Sequence, residues 1–216
     1  MTQPESSSRP EAQAGYPPPA DGLSESPPAG AMPPQPRARR FKRWHPAVAV
    51  AAIFALAAGS YLFVAWQRDR AVEARLRRYE PLIYKCAQAN GLSADLVGRV
   101  IRAESGARPG VESSKHARGL MQITPITERE VLRRTGMPRG DLFEPDYNIR
   151  VGTAYLRQLL DRFGGDLHLG VAAYHMGPTR VAKILAEHPG LSAAELLAQH
   201  APASTRWYVR QVLGEP

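Results

Sequence analysis

One cysteine, Cys86, occurs among the 216 residues, which excludes a disulfide within the chain and any metal cluster built on cysteine ligands. Lone cysteines of this kind usually act as small buried apolar groups. Formal charge is missing from one long stretch: no Lys, Arg, Asp or Glu stands between Arg43 and Arg68. Alternation of apolar and polar residues is missing from about residue 80 onward, which argues against a sheet. No basic recognition helix, zinc-ligand spacing or aromatic RNA platform accompanies the net charge of +8, so nucleic acid is not the expected partner. No internal repeat is present, and 216 residues suit one domain with appendages.

What is present begins with proline. Half of the 20 prolines fall within residues 1–45, among Ser, Gly, Ala and Gln, a composition with too little apolar surface to offset the entropy of ordering. A disordered tail with a basic end is expected there. Residues 46–66 then form an uncharged run bracketed by Trp44 and Trp66, which as a helix spans about 30 Å, one bilayer core. This predicts one transmembrane helix, an uncleaved signal anchor, through which the chain meets membrane lipid. Five Lys or Arg in residues 37–43 against five in 68–78 favour a cytoplasmic N-terminus only weakly. A cleaved signal peptide is the competing reading if translation starts at Met32, and N-terminal sequencing of the mature protein separates the two. Residues 67–80 read as a short membrane-proximal linker, so the domain beyond it is expected close to the membrane surface. Basic character there suits anionic lipid or an acidic wall polymer.

Residues 81–216 read as helices. Ser93 and Gly106 are cap and stop for one helix, and Thr124-Pro125 opens another. Ile149, Gly152, Leu156, Leu159, Leu160 and Phe163 share a face before Gly164-Gly165. "LGVAAYHMGP" is a short apolar helix closed by Gly177-Pro178. Ser192 and Glu195 have capping-box spacing, and "STRWYVRQVL" supplies the last helix. In the first of these helices Leu92, Leu96, Val97, Val100 and Ile101 recur at three- and four-residue spacing, and the next position on that stripe is Glu104. Either the helix ends one residue early and Glu104 points to water, or a half-buried carboxyl has been placed on a cleft wall. In the second case burial, aided by the helix dipole, raises its pKa and suits it to protonate a leaving group.

The segments "ESG", "GLMQI" with its glutamine eighteen residues after Glu104, "EPDYNIRVGTAYLRQLL", "AAYHMGPTRV" and "WYV" follow in order. Together they resemble the catalytic domain of the lytic transglycosylases, the soluble-lytic-transglycosylase (SLT) branch of the lysozyme-like superfamily, over about residues 82–214. The resemblance implies an all-α, lysozyme-like domain and assigns Glu104 as the catalytic acid and base. It implies substrate contacts for Ser105, Ser113, Met121, Gln122, Tyr174, His175 and Tyr208, with Tyr208 near the glutamate. Met121 also suits plain core packing, and Ser114 rivals Ser113.

Two positions depart from the pattern. His175 stands where the family has asparagine, and its charge depends on pH. Glu112, eight residues from Glu104, stands where an apolar residue is usual and invites confusion with a second catalytic carboxylate. Most glycosidases need two such groups. The resemblance implies one: Glu104 protonates the oxygen between N-acetylmuramic acid and N-acetylglucosamine, then deprotonates the C6 hydroxyl that closes onto C1. The product is a 1,6-anhydro sugar, without metal or cofactor. The alternatives are a hydrolytic muramidase of the same fold and a murein-binding scaffold without turnover. Expected partners are peptidoglycan strands, membrane lipid and a membrane-embedded secretion or cell-wall complex, with the catalytic domain on the periplasmic or wall side of the cytoplasmic membrane.

Overall fold

The computed structural model describes residues 46–215; the expected disordered tail at 1–45 lies outside the described residues. Within them every regular element is an α-helix, as the spacing predicts, apart from isolated bridges Glu112–Arg118 and Arg118–Ile123 in one loop. In order these are α1 (Pro46–Ala89), α2 (Ala94–Ser105), α3 (Pro125–Thr135), α4 (Pro145–Arg162), α5 (Leu167–Met176), α6 (Pro178–Glu187), α7 (Ala193–His200) and α8 (Ala203–Leu213).

The helix ends follow their capping residues. Thr124 Oγ1 accepts from Thr127 N–H at 3.1 Å and Pro125 takes the first turn of α3. Ser192 and Glu195 close a reciprocal capping box on α7, worth about 1 kcal/mol. Gly106 ends α2 in the left-handed conformation. α6 is the element the spacing analysis does not name. Gly177-Pro178, read there only as a stop, both ends α5 and starts α6, with proline in the first turn where its missing N–H costs nothing.

α4 is the centre of the domain. Apart from Arg150, residues 147–156 are buried, and Ile149, Val151 and Leu156 are wholly enclosed, each side chain contributing about 1.5–3 kcal/mol. α1, α3 and α5 pack on it, while α8 packs on α2 and α5. Cys86 is buried, as expected of a lone cysteine.

The expected linker is helical: residues 67–80 are the middle of α1, which runs unbroken for 44 residues. Its N-terminal part is apolar and exposed, long and apolar enough to cross a membrane. Its C-terminal part places Leu76, Tyr79, Ile83, Cys86 and Ala87 in the core. The hydrophobic period continues through the basic stretch, so the domain begins before residue 81.

Candidate active site

α2 runs back along α1 after the short turn at residues 90–93, and its end is pinned there. Arg75 Nε donates to the Gly106 carbonyl at 2.9 Å, and Arg102 pairs with Glu73 and, at 3.9 Å, with Asp69. The apolar stripe packs as its period predicts, with Val97, Val100 and Ile101 fully buried. Glu104, next on that stripe, is half-buried. Burial raises its pKa from 4.5 to about 7, while the hydrogen bond from Tyr208 opposes the rise. Of the two readings of Glu104, the structure selects the cleft wall.

Tyr208, on the inner face of α8, donates its hydroxyl to Glu104 Oε1 at 2.7 Å. His175, at the end of α5, stacks on the Tyr208 ring with centroids 4.6 Å apart, and its Nδ1 lies 3.1 Å from Thr205 Oγ1. Burial foremost, then Lys115, pushes the His175 pKa below 6.5, so the imidazole is neutral at neutral pH. The aromatic pair thus holds the tyrosine that holds the acid.

The opposite side is built by the loop between α2 and α3. Asn148, wholly buried in α4, accepts from Met121 N–H at 2.7 Å and donates to the carbonyls of Arg118 at 2.9 Å and Leu142 at 2.7 Å. Gly119 sits against it at φ +77°, where a side chain would collide with the Leu142 carbonyl and Asn148. Met121 packs over Gly152, and Tyr174 donates its hydroxyl to the Met121 carbonyl at 2.8 Å. Gln122, at φ 49°, donates both amide hydrogens, to Val111 and Gly119 carbonyls at 3.1 and 3.0 Å. That leaves its carbonyl oxygen as the end available to a ligand. Ser113 Oγ accepts from the amides of Lys115 and Ala117 at 3.3 and 3.1 Å, so its hydrogen is free to donate.

These parts meet in a groove of about 440 Å³ lined by Glu104, Ser113, Gln122, Tyr174 and His175 of the expected set. Lys115, Thr124, Thr127 and Tyr155 line it too, and spacing did not single them out. Thr124 carries a signal only as a helix start and Tyr155 only as part of a matched segment. Three residues of the expected set lie behind the groove: Ser105 is buried and spends its hydroxyl on the Leu120 carbonyl at 2.8 Å, Met121 is fully buried, and Tyr208, 3% exposed, reaches Glu104. They support the wall from behind. Asn148 carries no signal of its own in the sequence beyond the segment it belongs to. Glu112 is bound to His116 and Arg118 at 3.1 and 3.2 Å on the surface, its carboxyl held below the ordinary range by those bonds, so it is no second acid. Among the lining residues Glu104 carries the one carboxyl group. A larger cavity of about 880 Å³ between α1 and α2 contains none of this set.

The family model described as the transglycosylase SLT domain matches residues 81–197. The chain belongs to that family. Over 140 residues this SLT chain is 34% identical to the "Soluble lytic murein transglycosylase" of Salmonella typhimurium, covering 62% of itself and 22% of that protein. It is 34% identical to the "Membrane-bound lytic murein transglycosylase C" of Haemophilus ducreyi over 125 residues, covering 52% of itself and 34% of that protein. Its fold resembles an inactive mutant of lytic transglycosylase Slt from Pseudomonas aeruginosa, with TM-score 0.58, 34% identity and coverage of 62% and 22%. It also resembles the 70 kDa soluble lytic transglycosylase of Escherichia coli, with TM-score 0.60, 29% identity and coverage of 71% and 28%. This SLT chain therefore spans from about a fifth to about a third of the length of these curated relatives.

Proposed function

We propose that this protein is a membrane-anchored lytic transglycosylase that cleaves the bond from N-acetylmuramic acid to N-acetylglucosamine in peptidoglycan without consuming water. The observation that carries the reading is Glu104: a half-buried carboxyl with a pKa of about 7, in a groove whose lining holds no second one. Near neutral pH it is present in both forms. The protonated form gives its proton to the departing glycosidic oxygen, and the substrate's own acetamido group stabilises the positive C1. The carboxylate left behind accepts the proton of the C6 hydroxyl as that oxygen bonds to C1. Atoms balance: one C–O bond breaks, one forms, and the proton passes through Glu104. A nucleophile within the substrate has an effective concentration that is worth about 7–11 kcal/mol of barrier at best, which replaces an activated water.

Tyr208 suits both halves of this cycle. Its hydroxyl stabilises the carboxylate and so counters burial, keeping one group competent as acid and then as base. Gln122 offers a carbonyl oxygen and Ser113 a hydroxyl hydrogen to the sugar hydroxyls and amides. The similarity to a protein named as membrane-bound and the exposed apolar half of α1 support an anchor; this reading puts the domain on the wall side of the cytoplasmic membrane, where its substrate is.

Mass spectrometry of peptidoglycan treated with the purified protein tests the reaction. Transglycosylation gives anhydro ends that are lighter by one water than hydrolytic ends. Glu104→Gln should lower turnover at least about 1,000-fold, the joint loss of acid and base catalysis, while leaving murein binding. Hydrolytic ends would instead identify a muramidase, and normal turnover by Glu104→Gln would remove the mechanism.

A further inference from the structure

The proposed anchor and the clamp on the end of α2 share one helix, α1. α1 contains no proline or glycine between Trp66 and Arg75, and Pro81 comes only after that stretch, so none of the usual causes of a kink lies between them. The end of α2 that carries Glu104 is clamped to this stretch by Asp69 and Glu73 on Arg102 and by Arg75 on the Gly106 carbonyl. Asp69 lies three residues beyond Trp66 and Arg75 nine. At about 1.5 Å per residue the clamps stand about 5 to 14 Å along the helix from the end of the apolar run. The headgroup layer on each side of a bilayer is about 5 to 8 Å thick.

The antiparallel turn into α2 is what brings the acid to this level. Had α2 continued away from α1, Glu104 would stand beyond Ala89, roughly 35 Å farther out. Arg68 and Arg70 are exposed about 3 and 6 Å along the helix from Trp66, within that layer, and the Arg70 guanidinium lies 4.8 Å from the centre of the Trp66 ring. They supply fixed positive charge where lipid phosphates sit. The helix thus sets the height of the groove, whereas a flexible linker would let it range outward.

Resting on the membrane-anchored reading, we propose that the substrate is a glycan strand still held to the membrane through its lipid pyrophosphate end. Such a strand keeps its first sugars at headgroup level, where the groove is fixed. Enzyme and substrate confined to one surface gain effective concentration only if their heights match.

The test uses the full chain in proteoliposomes with the domain outward. One substrate is uncross-linked glycan bearing its polyprenyl pyrophosphate in the same vesicles; the other is the same glycan released by mild acid and added in solution. Cleavage of the lipid-held strand is expected to be at least ten-fold faster at equal sugar concentration. A second chain carries eighteen helix-forming residues between Gln67 and Arg68, about five turns, which lifts the intact domain by about 27 Å without rotating it. It should cut freed strands at the unmodified rate and lose the preference for lipid-held ones. Equal rates on both substrates, or a preference that survives the insertion, would overturn the proposal. Failure to cut either substrate would instead bring down the transglycosylase reading on which it stands.

Discussion

The Tyr208 hydroxyl, 2.7 Å from Glu104 Oε1, joins the last helix to the end of the second across 104 residues of sequence. Burial raises the Glu104 pKa and this bond lowers it. Removing the bond while keeping the ring should therefore raise the pKa further. Tyr208→Phe is expected to lose about ten- to a hundred-fold in turnover and to move the alkaline limb of the kcat/KM profile to higher pH. A reduced rate with an unmoved limb would show that Tyr208 acts through packing alone.

The same carboxyl is linked to stability. The native state keeps a proton on Glu104 up to about pH 7, whereas the unfolded chain releases it near 4.5, so the native state binds more protons between those values. Stability falls as pH rises through that window, and the loss above it is about 3 kcal/mol. Glu104→Gln cannot ionise and escapes the loss. Thermal unfolding should place the variant several degrees above the parent at pH 8 and level with it at pH 4. An equal displacement at both pH values would mean the carboxyl is not strained by burial.

How far these features were legible depended on whether the sequence carries them locally. The stripe ending in Glu104 repeats within two turns, and period alone placed it on a packed face. The five quoted segments carried the groove. Period could not say that Ser105, Met121 and Tyr208 point behind the wall, because a one-residue change of direction depends on which neighbour each meets. Asn148 was hidden for the same reason: its three partners are backbone groups at positions 118, 121 and 142, invisible in a side-chain pattern. The middle of α1 is hard to read because charge on its solvent side resembles a linker while Leu76 and Tyr79 keep the buried side going. α6 is not legible in the sequence because proline stops one helix and starts another equally well.

The contact of Met121 with Gly152 makes the groove sensitive to one methyl group. A Cβ at position 152 would lie 2.8 Å from Met121 Cβ, and the loop bearing Gln122 must move to admit it. Gly152→Ala should cost about 1–3 kcal/mol and lower activity along with it. Gly98, also within a helix, has nothing within 4 Å of its built Cβ. Gly98→Ala should instead gain about 0.5–1 kcal/mol from helix propensity, with activity unchanged. Thermal melts and turnover of the two variants check the pair, and similar losses in both would deny the close approach at Gly152.

His175 replaces the asparagine of the related pattern, and its surroundings say what the exchange changes. Burial holds its pKa below 6.5, so near pH 7 the ring is neutral and offers one donor and one acceptor, as an asparagine amide does. His175→Asn should therefore keep turnover at pH 7 within about ten-fold, the loss coming from the stacking on Tyr208. Acid separates the two side chains. Below pH 6.5 the unfolded chain takes up a proton that the native ring resists, so the parent loses stability as pH falls toward the lowered pKa, and asparagine does not. Glu104 titrates in both proteins and cancels in the comparison. The difference in melting temperature between variant and parent should grow in the variant's favour from pH 7 to pH 5. A difference that stays constant over that range would show that the imidazole is freely solvated and plays no part in the packing around Tyr208.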